Sequence, residues 1–248
     1  MPLGPASPGL AQRTGLPPRR ARRRGNLHRR QGGVALSGIE VVVPAHDEAE
    51  TITACLNALA AAAVGSPVPV RVTVVADACT DPTADLARAA GARVVEVEAR
   101  NVGAARATGF ALAEPHARWF ATTDADSLVP PTWFTDHLAV AADLVAGAVD
   151  VLDWSGWPQH LPAHYRSRYS RGREHVHGAN LGITSAAYAA IGGFTSLVDG
   201  EDADLVDRAK TAGLTVVHAR TAPVTTSGRR FGRCPAGFAG HLRALASS

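Results

Sequence analysis

The chain has 248 residues, 46% of them hydrophobic, which is enough for one domain with a sizeable core. Residues 1–36 contain eight arginines and no acid, whereas the remainder carries 17 basic and 22 acidic residues, so the formal net charge of +3 is unevenly distributed. The basic excess belongs to the N-terminal segment, and we therefore expect no nucleic-acid binding by the folded part.

Residues 1–37 are predicted to be a disordered leader rich in arginine and proline, because they lack the apolar surface that would offset their ordering entropy. Its arginines could contact nucleic acid or, peripherally, an anionic membrane, but a solvated leader is the simpler interpretation. No run of 18 apolar residues occurs, and the three cysteines lack metal-ligand spacing. We expect no transmembrane segment and a cytoplasmic location.

Strands and helices alternate in the prediction for the first half of the chain. β-Branched runs, proline and glycine breaks and helical spacing of apolar residues predict strands at 39–44, 70–76, 93–97 and 118–123, with helices at 52–63, 82–90 and 101–113 between them. This alternation is typical of βαβ units with right-handed crossovers, so we predict an α/β fold with a mainly parallel, Rossmann-like sheet flanked by helices.

The second half is predicted to be less regular. Its predicted elements are a helix from Pro130 to about Leu144, a strand at 146–152, a partly helical stretch at 154–173, helices at 185–191 and from about 201 to 212, and a strand at 214–218. No G-x-G-x-x-G follows the first strand and no P-loop occurs, which argues against those two phosphate-binding schemes. The predicted domain spans 38–226, followed by a basic loop and short helix at 227–248.

Two acids, Asp124 and Asp126, stand where the fourth predicted strand ends. Side chains alternate along a strand, so both carboxylates are expected to point the same way, at the edge where open α/β sheets bind ligands. A hard divalent cation holding a diphosphate would suit such a pair. A solvated loop with two acids is the alternative when these residues are considered alone.

Seven short segments together resemble the family 2 glycosyltransferases of GT-A fold. In chain order they are Val41–Glu48, Val74–Asp81, Asn101–Gly109, Thr123–Ser127, His177–Asn180, Ile191–Phe194 and Gly200–Asp202. The resemblance covers about residues 38–220. It implies a GT-A fold, a nucleoside-diphosphate sugar donor, either a UDP- or a GDP-sugar, and Mn²⁺ or Mg²⁺ as cofactor.

The resemblance also implies donor-side roles. Pro44, Ala45 and Glu48 would lie near the nucleoside, and Asp77 would accept a hydrogen bond from the base. Arg106 would contact the base or the diphosphate, which its charge suits. Asp124 would meet the ribose or the metal, and Asp126 the metal. Taken alone, Asp77 could equally be a turn residue and Arg106 a solvated side chain on an alanine-rich helix.

On the acceptor side, Asp202 matches the position of the catalytic base and Glu201 its neighbouring acid. A carboxylate there would take the proton of the attacking hydroxyl. The alternative is the acidic first turn of a helix. His177, Gly178 and Asn180 would shape the acceptor side, the glycine by allowing close approach of the backbone.

The roles of His218 and of the two arginines at 229 and 230 are left open. His218 is either a third metal ligand or, more simply, a core histidine. Arg229 and Arg230 would either close over the diphosphate as a mobile basic loop or form a solvated pair.

The sequence therefore predicts a metal-dependent, inverting glycosyltransferase of the hexosyltransferase type with an unknown hydroxyl acceptor. The alternatives are a nucleotidyltransferase, which should show a glycine-rich basic loop after the first strand, and a catalytically silent protein that binds nucleotide sugars. The acidic residues Asp124, Asp126 and Asp202 argue against the silent protein.

Overall fold

A mixed sheet flanked by helices forms the centre of the protein. This computed structural model describes Gly4 and residues 38–170, 175–232 and 237–247, so the predicted disordered leader lies almost entirely outside the described residues. The described strands are Ile39–Ala45 (β1), Val70–Asp77 (β2), Arg93–Val97 (β3), Trp119–Thr122 (β4), Ser127–Leu128 (β5), Leu144–Val151 (β6), Leu181–Thr184 (β7) and Val216–Thr226 (β8). The described helices are Ile52–Val64 (α1), Thr83–Ala89 (α2), Val102–Ala111 (α3), Trp133–Ala139 (α4), Leu161–Ser170 (α5), Ser185–Ala190 (α6), Glu201–Thr211 (α7) and Phe238–Ala246 (α8).

The sheet has the strand order β3-β2-β1-β4-β7-β6-β8-β5. β1 lies parallel between β2 and β4, and β3 extends this parallel half. β7 runs antiparallel to both β4 and β6, whereas β8 is parallel to β6. The predicted α/β fold with a mostly parallel sheet is confirmed, and the antiparallel pairings are those of β7 with β4 and β6 and of β5 with β8.

The predicted boundaries of helices and strands differ from the observed ones mainly in the second half of the chain. Helix α4 ends at Ala139, and Leu144, predicted as its end, opens strand β6. Strand β8 continues to Thr226, well past the predicted end at His218. The short strands β5 and β7 were not predicted, because two to four residues carry no periodicity and their pairing partners are distant in sequence.

Alternating side chains of β1 supply two separate cores. Val41 and Val43 pack on the face covered by α1 and α4, whereas Val42 packs on the opposite face with Phe110 of α3 and Leu205 of α7. A third apolar cluster joins α5 to α8 through buried side chains, which are Trp157, Leu161, Tyr165, Leu242 and Leu245. The observed C-terminal helix therefore packs on the stretch that follows β6. The division of the domain at residue 226 stays a prediction.

Asn180 links helix α4 to strand β6 through its side chain. Its side chain is fully buried, and its Oδ1 accepts hydrogen bonds from Trp133 Nε1 at 2.8 Å and His137 Nε2 at 2.9 Å. Its Nδ2 donates to the carbonyl oxygen of Ala148 in β6. One amide thus satisfies polar groups of α4 and β6 that burial would otherwise leave unpaired.

Within the part of the chain that the structure describes, no helix is both long enough and apolar enough to cross a membrane. The cytoplasmic location stays a prediction.

We predict that Asn180→Ala lowers the free energy of unfolding by about 2–4 kcal/mol, because it strands buried donors and an acceptor in the core. Urea unfolding measures the loss. Asn57→Ala, on the exposed face of α1, is the matched control and should change stability by less than about 0.5 kcal/mol. Equal effects of the two substitutions would contradict a central role of the Asn180 amide.

His137 should make the protein sensitive to acid. Burial lowers its pKa from 6.5 to about 4, with the Asn180 contact opposing the shift. Between these values the unfolded chain binds a proton that the folded chain does not, so stability falls as pH decreases through this window, by up to about 3 kcal/mol. Unfolding free energies measured from pH 7 to 4 should show a shallower slope in His137→Gln, and exposed His160→Gln should keep the slope of the parent.

Candidate active site

A cleft of about 730 Å³ opens at the carboxyl ends of β1, β2 and β4, a size typical of sites for small molecules. It is lined by all but one of the residues predicted from the sequence, which are Pro44, Ala45, Glu48, Asp77, Arg106, Asp124, Asp126, His177, Gly178, Glu201 and Asp202. The exception is Asn180, whose side chain is committed to the core contacts described above, while its neighbours Gly178 and Ala179 reach the cleft. The cleft therefore brings residues from distant segments of the chain into one site.

Asp77, at the end of β2, holds the loop that leads into α3. Its two carboxylate oxygens accept hydrogen bonds from the backbone N–H groups of Arg100 and Asn101, both at 2.8 Å. Arg100 has a φ of 47°, a left-handed conformation unusual for a long side chain. Asn101 then caps α3 by accepting from Ala104 N. Asp77 thus has an evident structural task, and its predicted contact with a base stays a prediction.

Arg106 projects from α3 into the floor of the cleft and is only 2% exposed. Its guanidinium donates to Asp124 Oδ1 at 2.7 Å, to Glu201 Oε1 and to the hydroxyl of Thr122. The two carboxylates raise the pKa of Arg106 against the effect of burial, and burial raises the pKa of Glu201 against the pull of Arg106. The expectation of a solvated arginine is therefore wrong. Its contacts favour a role in holding Asp124 and Glu201, and the predicted contact with the donor stays a prediction.

Gly178 allows Arg106 to reach this position. A Cβ atom at residue 178 would overlap the Arg106 guanidinium. The Gly178 N–H in turn donates to Asp202 Oδ2 at 2.8 Å, so that the half-buried Asp202 carboxylate is oriented beside the cleft. The close approach expected at this glycine is made by an arginine of the same chain.

Asp126 lies deeper than Asp124, with side-chain exposures of 10% and 39%. The hydroxyl of Thr226, at the end of β8, donates to Asp126 Oδ1. Burial raises the pKa of Asp126 to about 6, and the nearby carboxylates of Asp124 and Glu48 add to the rise, while Arg229 opposes it. A buried carboxylate with other carboxylates nearby favours a neighbouring cation.

Arg229 supplies such a cation. Its guanidinium forms a two-pronged contact with Glu48, from Nη1 to Oε2 at 3.0 Å and from Nη2 to Oε1 at 2.8 Å. The same Nη2 lies 3.0 Å from Asp126 Oδ2. Of the two possibilities left open for Arg229, a solvated pair with Arg230 is wrong, because Arg229 joins β8 to the carboxylates at the end of β1 and after β4.

The donor atoms at this end of the cleft are carboxylate oxygens of Asp124, Asp126 and Glu48. Such hard oxygen ligands suit Mg²⁺ or Mn²⁺ rather than a soft metal. The guanidinium already resting on two of these carboxylates shows that the position attracts positive charge. The residues present therefore fit a divalent cation. His218 is half-buried in β8, where its Nδ1 lies 3.4 Å from the carbonyl oxygen of His175, and a role as a metal ligand stays untested.

Another part of the cleft wall is formed by His177 and α8. The His177 ring packs edge-to-face on Phe238 with ring centroids 5.5 Å apart, and His241 of the same helix also lines the cleft. Burial lowers the pKa of His177 to about 4, so the ring is neutral at pH 7. Sequence reasoning missed Phe238 and His241. Their aromatic-and-histidine spacing in a C-terminal helix was the available signal, but only tertiary packing brings that helix to the cleft.

A family model described as "Glycosyl transferase family 2" matches residues 40–192, more than half of the chain. The chain belongs to glycosyl transferase family 2. The matched region contains the ends of β1, β2 and β4 and the segment from His177 to Asn180. The family predicted from the sequence is confirmed. Because this is a family of glycosyltransferases, the expected enzyme class is confirmed as well. No curated protein sequence matches significantly.

Solved structures agree on the fold. The S. aureus TarS chain in a crystal structure with UDP-GlcNAc has 18% sequence identity to this chain. The two structures superpose with a TM-score of 0.62 over 85% of this chain and 65% of the TarS chain. The Pyrobaculum calidifontis mannosyltransferase PcManGT, in complex with GDP-Man and Mn²⁺, is 20% identical, with a TM-score of 0.61 over 84% of this chain and 68% of that one. M. tuberculosis glucosyl-3-phosphoglycerate synthase is 19% identical, with a TM-score of 0.59 over 85% and 77%. The chain spans only 36% of a longer TarS chain. These similarities confirm the GT-A fold.

We predict that Arg106→Met destabilises the protein by about 3–5 kcal/mol, because it leaves Glu201 and Asp124 without their cation in a buried place. Adding Glu201→Gln should recover part of this loss, giving a coupling energy of about 0.5–3 kcal/mol in a double-mutant cycle. Urea unfolding at pH 7 measures all four proteins. Exposed Arg118→Met is the control and should behave as the parent, whereas strict additivity of the two site substitutions would refute the coupling.

Proposed function

We propose that the protein transfers a sugar from a nucleoside-diphosphate sugar to an acceptor hydroxyl, in a metal-dependent reaction that inverts the anomeric centre. The observation that carries this proposal is the meeting of Asp124, Asp126 and Asp202 along one cleft at the carboxyl edge of the sheet. Related folds support it, since TarS was solved with UDP-GlcNAc and PcManGT with GDP-Man and Mn²⁺. A UDP- or a GDP-sugar is therefore the proposed donor.

In this proposal the donor lies along the carboxyl ends of β1, β2 and β4. Pro44, Ala45 and Asp77 would border the nucleoside, and Glu48, which lines the same cleft, is joined to Asp126 through Arg229. Asp126, with Asp124, would hold Mn²⁺ or Mg²⁺, which when bound would neutralise the charge that builds on the departing diphosphate. Arg106 keeps Asp124 and Glu201 in fixed positions beneath the reacting groups.

Asp202 is the proposed general base. Its Oδ2 is held by the Gly178 N–H, and the carboxylate faces the cleft at the start of α7. As an acceptor hydroxyl attacks the anomeric carbon, its proton passes to this carboxylate, the new glycosidic bond forms and the bond to the diphosphate oxygen breaks. One displacement from the face opposite the leaving group inverts the centre. Neutral His177 and Phe238 border the space left for the acceptor.

A catalytically silent protein that binds nucleotide sugars remains the alternative of a different class. It shares the donor end of the cleft but requires no base at Asp202. A nucleotidyltransferase would need a glycine-rich basic loop after β1, where this chain has Pro44, Ala45, His46, Asp47 and Glu48.

The donor site is tested by thermal melting of the full chain with UDP, GDP, ADP and CDP, with and without Mn²⁺. One diphosphate should stabilise the protein in a metal-dependent manner, by about 2.7 kcal/mol at a hundredfold excess over its Kd. Asp126→Asn should abolish the effect of the metal. If none of these nucleotides shifts the melting temperature, the proposal of a nucleotide-sugar donor is refuted.

The base is tested by Asp202→Asn. We expect nucleotide binding to be kept, and hydrolysis or transfer of the matching donor sugar to fall by about 10²- to 10⁴-fold, since general base catalysis contributes this much. Asp207→Asn, exposed on the same helix, is the matched control. Donor binding by the parent without any turnover would favour the silent binding protein.

A further inference from the structure

Arg229 contacts two of the carboxylates that lie where a metal would be held. Its guanidinium bridges Glu48 and Asp126 with three contacts of 2.8–3.0 Å. We propose that Arg229 is an internal counter-ion that competes with the divalent cation for Asp126, so that metal binding requires the arginine side chain to leave. This inference rests on the metal site of the proposed function and needs no assumption about sugar or acceptor.

The charges of the cleft explain why a cation must be present in both states. Within the ion-pair network of the cleft, the four carboxylates of Glu48, Asp124, Asp126 and Glu201 meet the guanidinium groups of Arg106 and Arg229, so these six side chains carry a net formal charge of −2. Both acids that Arg229 contacts are nearly buried, with side-chain exposures of 8% and 10%. Leaving such carboxylates without a partner is costly. Arg229 therefore stabilises the cleft until a divalent cation takes over its role at Asp126.

The two arginines differ in their freedom to move. Arg106 has a side-chain exposure of 3% and is enclosed by Asp124, Glu201 and the backbone of Gly178. Arg229 has a side-chain exposure of 31% and enters the cleft from its rim. Only Arg229 can thus withdraw toward solvent by rotation of its side chain without disturbing the core.

The backbone around Arg229 is fixed. The carbonyl oxygen of Gly228 accepts a hydrogen bond from Trp157 Nε1, and a Cβ at this glycine would overlap the carbonyl oxygen of Asp153. Thr226, three residues before Arg229, donates to Asp126 itself. The exchange therefore needs a change in one side chain and no opening of the chain. Arg229 would therefore set the metal affinity of the site without being a metal ligand itself.

The test measures binding of Mn²⁺ alone, with no nucleotide, by calorimetry and by the electron paramagnetic resonance signal of free Mn²⁺. If Arg229 competes, Arg229→Gln should bind Mn²⁺ about five- to a hundredfold more tightly than the parent, the usual range of coupling between two ligands. Arg230→Gln is the matched control, since Arg230 lies over the Trp157 ring and contacts neither carboxylate. Its Mn²⁺ affinity should equal that of the parent.

A second measurement uses stability. In the presence of a chelator, Arg229→Gln should melt below the parent, because Glu48 and Asp126 lose their contacts with the Arg229 guanidinium. Mn²⁺ should raise the melting temperature of this variant more than that of the parent. Unchanged or weaker Mn²⁺ binding by Arg229→Gln would overturn the proposal while leaving the metal site intact. An equal gain in Mn²⁺ affinity in Arg230→Gln would also overturn the proposal, since the loss of any nearby positive charge would then explain the effect. Absence of Mn²⁺ binding in the parent and in both variants would overturn the metal site together with the inference.

Discussion

The structure depends on the concentration of negative charge at one edge of a sheet. Parallel strands deliver their carboxyl ends to the same edge, and in this chain those ends and the loops after them carry Glu48, Asp77, Asp124 and Asp126. Burial makes each charge expensive unless a partner is at hand. Cations and N–H groups from the surrounding helices and loops are the partners of these acids.

Three kinds of partner meet that need. Backbone N–H groups satisfy Asp77 and Asp202, which ties the loop after β3 and the segment before β7 to the cleft. A buried arginine joins Asp124 to Glu201, and thus the end of β4 to the start of α7. A more exposed arginine closes the remaining side on Glu48 and Asp126. The first two partners build the site, whereas the third is free to be exchanged for another cation.

The same arrangement separates two chemical environments within one cleft. The end near β1 and β2 is bordered by acids and arginines, which suits a diphosphate with a metal ion. The end near α8 is bordered by a neutral histidine and by Phe238, and this suits the hydroxyls and ring faces of an acceptor more than a second charged group. Asp202, the proposed base, lines the same cleft and is held by the Gly178 N–H.

The sequence by itself determined the βαβ half of the fold and the membership of the acids in one site. Local periodicity specifies β1 to β4 and their helices, and strand ends in a parallel sheet share an edge whatever the details of packing. It could not supply β5, β7 or the full length of β8, because those strands depend on pairing with segments 35 to 99 residues away. Nor could it decide the fate of the charged side chains. Whether Arg106 is buried, whether Arg229 reaches Asp126 and whether Asn180 faces the cleft or the core depend on distances between segments that only the tertiary structure fixes, since a side chain carries the same charge in either place and only its neighbours decide what that charge does.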